Sequence, residues 1–322
     1  MTARGPRYRT DGSCPLQGRV AVVTGAARGL GEGLAYALSR RGARVALIGL
    51  EEERLARLAA DLPGPAAHWH ADVTDADALS VTAEAVRGTL GEASVVVANA
   101  GVALGGPLLD CDPRDWRRVI DVNLVGSALT ARCFLPHLLR TRGYYLQVAS
   151  LAALAPAPLL TAYCASKSGA EAFAQALRAE VGHRGVAVGI AYLSWADTDM
   201  IREGDRTEVF HELRTHLPWP ASVVHGTAPF VGAMVRGIER RSGRVYAPAW
   251  LRGAQAVRAC LPSLVAHRSR RVLARRGGPL PPTGLLGPGG EAAAAAPSAR
   301  TGPPDQNPYL RPEERPWPYD TI

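Results

Sequence analysis

The sequence is almost without lysine: of its 37 basic residues, 36 are arginine and the single ammonium is Lys167. An ammonium is a compact point charge and a guanidinium a broad planar fork. A chain that uses arginine for every other cation either has kept one position where that difference has a chemical use or retains a single lysine by accident. Cysteine is sparse as well. Cys14, Cys111, Cys133, Cys164 and Cys260 are odd in number, form no C-x-x-C pair and stand at no spacing with histidine that suits zinc. This argues against a disulfide framework and a structural zinc site, and predicts reduced thiols in the cytoplasm. No uninterrupted apolar run reaches the ~20 residues that span a bilayer, and the arginines of residues 1–18 are not followed by the apolar core of a signal peptide.

Acidic residues are missing from 251 to 290, a stretch with seven arginines, so most of the formal charge of +8 sits there and the remainder is nearly balanced. Aromatic residues are not interleaved with those arginines as a base-stacking platform requires, and no nucleic-acid partner is expected. Trp250, Ala254, Val257, Leu261, Leu264 and Val265 recur at helical spacing beside Arg252, Arg258 and Arg268, with Pro262 dividing the stretch. Residues 251–276 therefore read as a basic amphipathic helical segment. It either makes peripheral contact with a membrane surface or is a solvated or core-docked helix. From 277 to 322 the composition shifts to Pro, Gly and Ala, which predicts a disordered tail, and 1–15 reads as a flexible N-terminus.

What is present is a domain over 16–250 in which short β-branched runs alternate with helical patterns. Strands are predicted at 19–24, 43–48, 68–71, 94–98, 144–149, 187–192 and 244–247. Helices are predicted between them, including 113–137, 162–181 and 220–240, with one or two short helices over 199–217. The fold class is α/β, a Rossmann-like doubly wound parallel sheet whose ligands bind at the carboxyl edge of its strands.

The first strand runs into Thr24-Gly-Ala-Ala-Arg-Gly-Leu-Gly31 and then a helix. Glycine at 25 permits a tight turn, glycine at 29 lets backbone approach a pyrophosphate, and glycine at 31 lets helix pack on strand, with helix-terminal amides for the anion. A plain strand-to-helix turn is the competing reading. Thr24, Gly25, Arg28, Gly29, Leu30 and Gly31 are the cofactor-binding candidates of this loop. At the end of the second strand, Gly49 stands where an acidic residue would bind the 2′-hydroxyl of NAD. That gap leans toward NADP with Arg28 as phosphate partner, whereas Glu51 and Glu52 argue for NAD. Asp72-Val73 after the third strand is placed for adenine, unless Asp72 is simply a solvated strand end.

Tyr163-Cys-Ala-Ser-Lys167 opens a helical segment, and the spacing of four puts both side chains on one face. A phenol titrates near 10 when unperturbed. A fixed ammonium nearby, together with the charge of an oxidised nicotinamide, is expected to lower it into the range of a general acid/base.

These residues together resemble the short-chain dehydrogenase/reductase family, in its single-domain branch, over approximately Leu16 to Ala249. Ala98-Asn-Ala-Gly101 is similar to the family's N-N-A-G after the fourth strand, with alanine replacing the first asparagine. Asn123 matches the helix asparagine, and Ser150 stands thirteen residues before Tyr163, as the family serine does. The resemblance implies a catalytic tetrad. Ser150 would bond the substrate oxygen, Tyr163 would exchange its proton, Lys167 would hold the ribose and tune Tyr163, and Asn123 would position a water linking Lys167 to solvent.

It also implies NAD(P)(H) as cofactor, contacted further by Asn99, Ala100, Gly101, Tyr163, Lys167 and Thr198, and a homodimer or homotetramer. The family's Pro-Gly turn after the sixth strand is replaced by Leu193-Ser194. Leu151, Leu154, Trp195, Met200, Phe210 and Trp219 fall near the expected pocket. They predict a hydrophobic carbonyl or secondary alcohol, lipid-, retinoid- or steroid-like, unless they only pack a lid. The competing function is a non-catalytic dinucleotide sensor or interaction protein of the same fold, including one recruited to membranes by its basic segment. The extended epimerase branch shares Tyr and Lys but differs in glycine spacing.

Overall fold

The computed structural model describes residues 15–215, 217–275 and 281–287. The predicted flexible N-terminus, apart from Pro15, and most of the predicted tail lie outside the described residues.

The apolar run Val20–Thr24 forms β1, buried along its whole length. In chain order there follow α1 (Gly29–Ser39), β2 (Arg44–Gly49), α2 (Glu52–Asp61), β3 (Ala66–His70), α3 (Ala76–Leu90), β4 (Ala93–Ala98) and the two-residue β5 (Ala103–Leu104). Next come α4 (Pro113–Ile120), α5 (Gly126–Thr141), β6 (Tyr144–Val148), α6 (Thr161–Val181), β7 (Ala187–Leu193), α7 (Asp199–Asp205) and α8 (Glu208–Thr215). The described chain ends with α9 (Thr227–Glu239), β8 (Arg244–Ala247), α10 (Leu251–Ala256), α11 (Leu261–Arg275) and β9 (Leu285–Leu286).

Seven strands lie in the order β3-β2-β1-β4-β6-β7-β8, every neighbouring pair parallel. Parallel strands need crossovers, and the crossovers cover both faces of the sheet with helices. Leu34, Leu55 and Met234 of α1, α2 and α9 pack on one face, and Val86, Phe134 and Leu177 of α3, α5 and α6 on the other. The chain order reverses between β1 and β4, which opens a crevice at their carboxyl ends. The predicted Rossmann-like class is the observed one.

Three expectations need correction, and one alternative is decided. The helix predicted over 113–137 reaches Thr141 and is broken by a π-helical turn, Asp121–Val125. Inside that turn the Asn123 amide donates to the Val102 carbonyl at 2.9 Å and accepts from the Val102 N–H at 2.9 Å, a pairing that a regular α-turn would aim elsewhere. By length and composition alone Pro113–Thr141 is long and apolar enough to cross a membrane, yet Ala131, Phe134 and Leu138 are buried in the core. The helix predicted from 220 starts at Thr227, because backbone hydrogen bonds hold His225 to Trp195 and Asp197.

The basic segment is docked, not free. Leu251 is fully buried, and the Arg258 guanidinium meets the Glu171 carboxylate at 2.6 and 3.2 Å. Pro262 falls in the first turn of α11, where its missing N–H has no partner to lose. Finally, the tail predicted to be disordered from 277 returns to the fold at 281–287. Leu285–Leu286 pairs antiparallel with Ala103–Leu104, and Thr283 exchanges hydrogen bonds with both backbone groups of Gly105. Average composition misses this because two leucines suffice to close a gap beside Phe210.

Glu171 is buried and also accepts from the Tyr192 hydroxyl at 2.8 Å. Arg258→Met therefore strands a carboxylate in the core. Because the arginine is itself partly exposed, the expected loss is about 2 kcal/mol, below the range for fully enclosed pairs. Urea unfolding is expected to show that loss, and addition of Glu171→Gln to recover most of it.

Candidate active site

The glycine loop follows β1 because only glycine fits it. Gly25 has φ +62°, and an added Cβ would lie 2.8 Å from the Cα of Ala100. At Gly31 a Cβ would overlap the carbonyl oxygen of Gly25. The loop is locked to the end of β4: Asn99 Nδ2 donates to the carbonyls of Thr24 and Gly25 at 3.0 and 3.1 Å. In return, Thr24 Oγ1 accepts from the N–H groups of Asn99 and Ala100 at 3.1 and 3.2 Å. Thr24 is thus a buried brace. Gly25, Arg28, Gly29, Leu30, Asn99, Ala100, Gly101, Thr198, Ser150, Tyr163 and Lys167 all face one cleft at the amino end of α1. The cleft has the shape and donors to hold a pyrophosphate.

Asp72 and Val73 do not line it. Asp72 Oδ1 accepts from the Thr74 N–H and hydroxyl at 2.9 and 2.8 Å, and Oδ2 from Arg118 at 2.6 Å. Burial works to raise this carboxyl, but the bonds from Thr74 and Arg118 outweigh it and hold it below the ordinary range. Val73 packs against Gly126. Arg28, the expected phosphate partner, is engaged by both Glu51 and Asp199. Residues that the sequence reading missed also face the cleft, among them Ala149, Ala196, Asp199 and Ser194. The Ser194 hydroxyl is buried with no hydrogen-bond partner among the described residues. Its one sequence signal was the departure from Pro-Gly at Leu193-Ser194.

α6 carries Tyr163 and Lys167, one turn apart. Lys167 Nζ lies 5.6 Å from the centroid of the Tyr163 ring and donates to the Val148 carbonyl at 3.2 Å. The Ser150 hydroxyl is a hydrogen-bond neighbour of the Tyr163 phenol and also accepts from the Ala152 N–H at 3.1 Å. Asn123 is fully buried and does not face the cleft. Besides Val102 it donates to Ser166 Oγ at 2.9 Å, and Ser166 donates to the Tyr163 carbonyl at 2.9 Å. Its contacts are those of a brace between the β5 loop and α6.

The expected lowering of the tyrosine is not what the protein's own groups produce. Burial pushes the Tyr163 phenol up to about 12, with the Ser150 hydrogen bond working against it. Burial likewise brings Lys167 down to about 8. In this low-dielectric site desolvation is the largest influence on both groups and disfavours the charged form of each.

Leu151, Trp195, Met200, Phe210 and Trp219 line a second, larger cavity of about 340 Å³. Leu154 does not; it is a core residue. Ser150, Tyr163 and Ser194 border both spaces.

Compared with known proteins, residues 19–208, more than half of the chain, match the family model for short chain dehydrogenases. A meso-2,3-butanediol dehydrogenase of Serratia marcescens is 34% identical over 183 residues, covering 56% of this chain and 73% of that protein. A D-threitol dehydrogenase of Mycolicibacterium smegmatis is 38% identical over 177 residues, covering 54% and 68%. The crystal structure of a metagenomic short-chain oxidoreductase in complex with NADP aligns with TM-score 0.53 and 34% identity, covering 56% of this chain and 83% of that one.

Because Lys167 is the only lysine, ε-13C-lysine labelling yields one side-chain signal. Its midpoint is expected near 8, against an ordinary value of 10.5. Between those two pH values the folded chain binds fewer protons at this site than the unfolded chain. The site's contribution to stability therefore rises with pH across that window and is least favourable below it. A midpoint at or above the ordinary value would contradict this account of the site.

Proposed function

The chain belongs to the short chain dehydrogenase family and binds a nicotinamide dinucleotide, and from that premise we propose that it interconverts a hydrophobic secondary alcohol and its ketone. The observation that carries the reading is that Ser150 and Tyr163 stand where the dinucleotide cleft meets the apolar cavity. The glycine cradle, which admits no Cβ, fits the cofactor's pyrophosphate. When bound, the nicotinamide accepts or supplies the hydride. The chain's own groups handle the oxygen: Ser150 donates a hydrogen bond to it, and Tyr163 takes its proton in oxidation or returns it in reduction. Lys167 places an ammonium beside the phenol and orients the ribose. In the oxidation direction the charge of a bound oxidised cofactor would favour the Tyr163 phenolate, against the burial that raises it.

We assign NADP as the preferred cofactor. Gly49 offers no carboxylate to repel a 2′-phosphate, and Arg28 stands at the cleft as its counter-charge. Relatives solved with NADP, and with 5-hydroxy-NADP in an alcohol dehydrogenase of Thermococcus sibiricus, support this. Arg28 must then exchange Glu51 for phosphate. The hydrophobic substrate rests on the cavity walls, which are leucine, tryptophan, proline and alanine with little polar surface. Relatives are named for small diols and polyols. A substrate panel in which turnover is confined to such molecules would replace this reading. Exposed Leu108, Leu109 and Val125 offer surface for a homodimer or homotetramer, checked by light scattering. The four described cysteines are all free, in line with a cytoplasmic setting.

Tyr163→Phe is expected to cost at least ~10²–10⁴-fold in kcat while dinucleotide fluorescence titration remains unchanged. Absence of turnover in the unsubstituted chain across alcohols and ketones would favour the non-catalytic sensor. Arg28→Ala is expected to weaken NADPH binding by about tenfold, the scale of one charge-assisted hydrogen bond, and to leave NADH nearly unaffected.

A further inference from the structure

The basic C-terminal helix and the apolar cavity are one structure. Leu261, Leu264, Val265 and Arg268 of α11 form a wall of the same cavity that ends on Ser150 and Tyr163, and the Trp219–Pro220 stretch forms another. Toward solvent these walls end in apolar side chains. Trp219 is 83% exposed and Leu264 60%, with Leu273 beside them at 37%. Few large apolar residues of the described chain are so exposed, and these three surround the entrance to one cavity. Val257, in the break before α11, adds a fourth on the same segment.

Cations accompany them. Arg268, Arg270 and Arg271 are exposed on α11, and no acidic residue occurs from 251 to 290. On the α7 side, three carboxylates are engaged by arginines: Arg202 meets Asp197 and Asp199, and Arg214 meets Asp205. A rim that combines an exposed tryptophan and leucines with arginines is complementary to an anionic bilayer. The aromatic ring settles at the headgroup level, the aliphatic stems lie along acyl chains, and the guanidinium groups meet lipid phosphates. Docking by α11 alone would place a helix on a membrane for no evident purpose. Docking by this rim sets the substrate entrance against the lipid.

We propose that the rim formed by α11 and Trp219 docks on anionic membrane surfaces, and that the cavity draws its hydrophobic alcohol or ketone directly from the lipid phase. The second half rests on the reading of the cavity as a substrate site. The first half stands on charge and exposure alone. A long-chain alcohol is scarce in water and abundant in a bilayer, so an entrance facing lipid raises the concentration that the site meets.

The test uses the full chain and vesicles of phosphatidylcholine, with and without phosphatidylglycerol. The expected result is co-sedimentation with the anionic vesicles only, weakening as salt rises. Arg270→Gln with Arg271→Gln removes two charges that do not face the cavity and lowers the partition by about 25-fold, at roughly fivefold per arginine. Oxidation of a short, water-soluble secondary alcohol by this variant is unchanged. Oxidation of a long-chain secondary alcohol carried in anionic vesicles falls with the partition. Equal sedimentation with neutral and anionic vesicles, no sedimentation with either, or indifference to the double substitution overturns the docking. Sedimentation without turnover of any alcohol overturns the enzymatic reading and leaves the docking standing, so the two failures are told apart.

Discussion

Two side chains, Thr24 and Asn99, close a ring of hydrogen bonds between the ends of β1 and β4, and the arrangement of the site depends on it. At the point where strand order reverses, neighbouring chains leave the sheet in opposite directions, and backbone groups there lose their ladder partners. Thr24 and Asn99 supply replacements. With the two loops fixed, Gly25 sits against Ala100, and Gly29 and Leu30 at the start of α1 line the cleft. The same loop continues to Val102, which Asn123 grips at both backbone groups from its π-turn, and Asn123 reaches Ser166 on α6. A continuous set of short polar contacts thus runs from the anion-binding loop to the helix that carries Tyr163 and Lys167.

That helix also carries a buried ammonium. Lys167 lies deep in the fold with one backbone carbonyl as its described partner, and its site favours the neutral amine more than water does. A guanidinium would need to be satisfied along a wide planar fork and could not deprotonate to relieve the cost. Lysine is therefore the cation that this position admits, in a chain that uses arginine everywhere else. The tyrosine faces the same desolvation with the opposite sign. The two side chains stay one helical turn apart, each pressed by burial toward its neutral form.

The parts of this arrangement that the sequence reveals are those written in local spacing. The glycine loop, the Tyr163–Lys167 turn and the order of strands follow from periodicity and steric need within short windows. Asp72 is ambiguous in the sequence because an acidic residue at a strand end serves equally well to cap a turn, and here its partners include Thr74 and Arg118. The π-turn at Asn123 depends on Val102, a contact across twenty-one residues that no helical pattern announces. The raised phenol follows from burial, which spacing does not measure. The return of 281–287 depends on a gap beside Ala103 and Phe210, a property of the assembled fold.

The same distinction separates chemistry from selectivity. The residues proposed to meet the reacting oxygen, Ser150 and Tyr163, lie within the stretch 19–208 that matches the family model. Much of the cavity wall does not: Phe210, Trp219, Trp250, Leu261 and Leu264 all follow it, and Leu286 packs in one cluster with Phe210. Likeness to diol and polyol dehydrogenases therefore speaks to hydride transfer and much less to what is oxidised. In this chain the later segments turn a shallow edge of the sheet into a deep apolar cavity. Arg258, by tying the α10–α11 junction to Glu171, makes the shape of this cavity depend on an ion pair outside it.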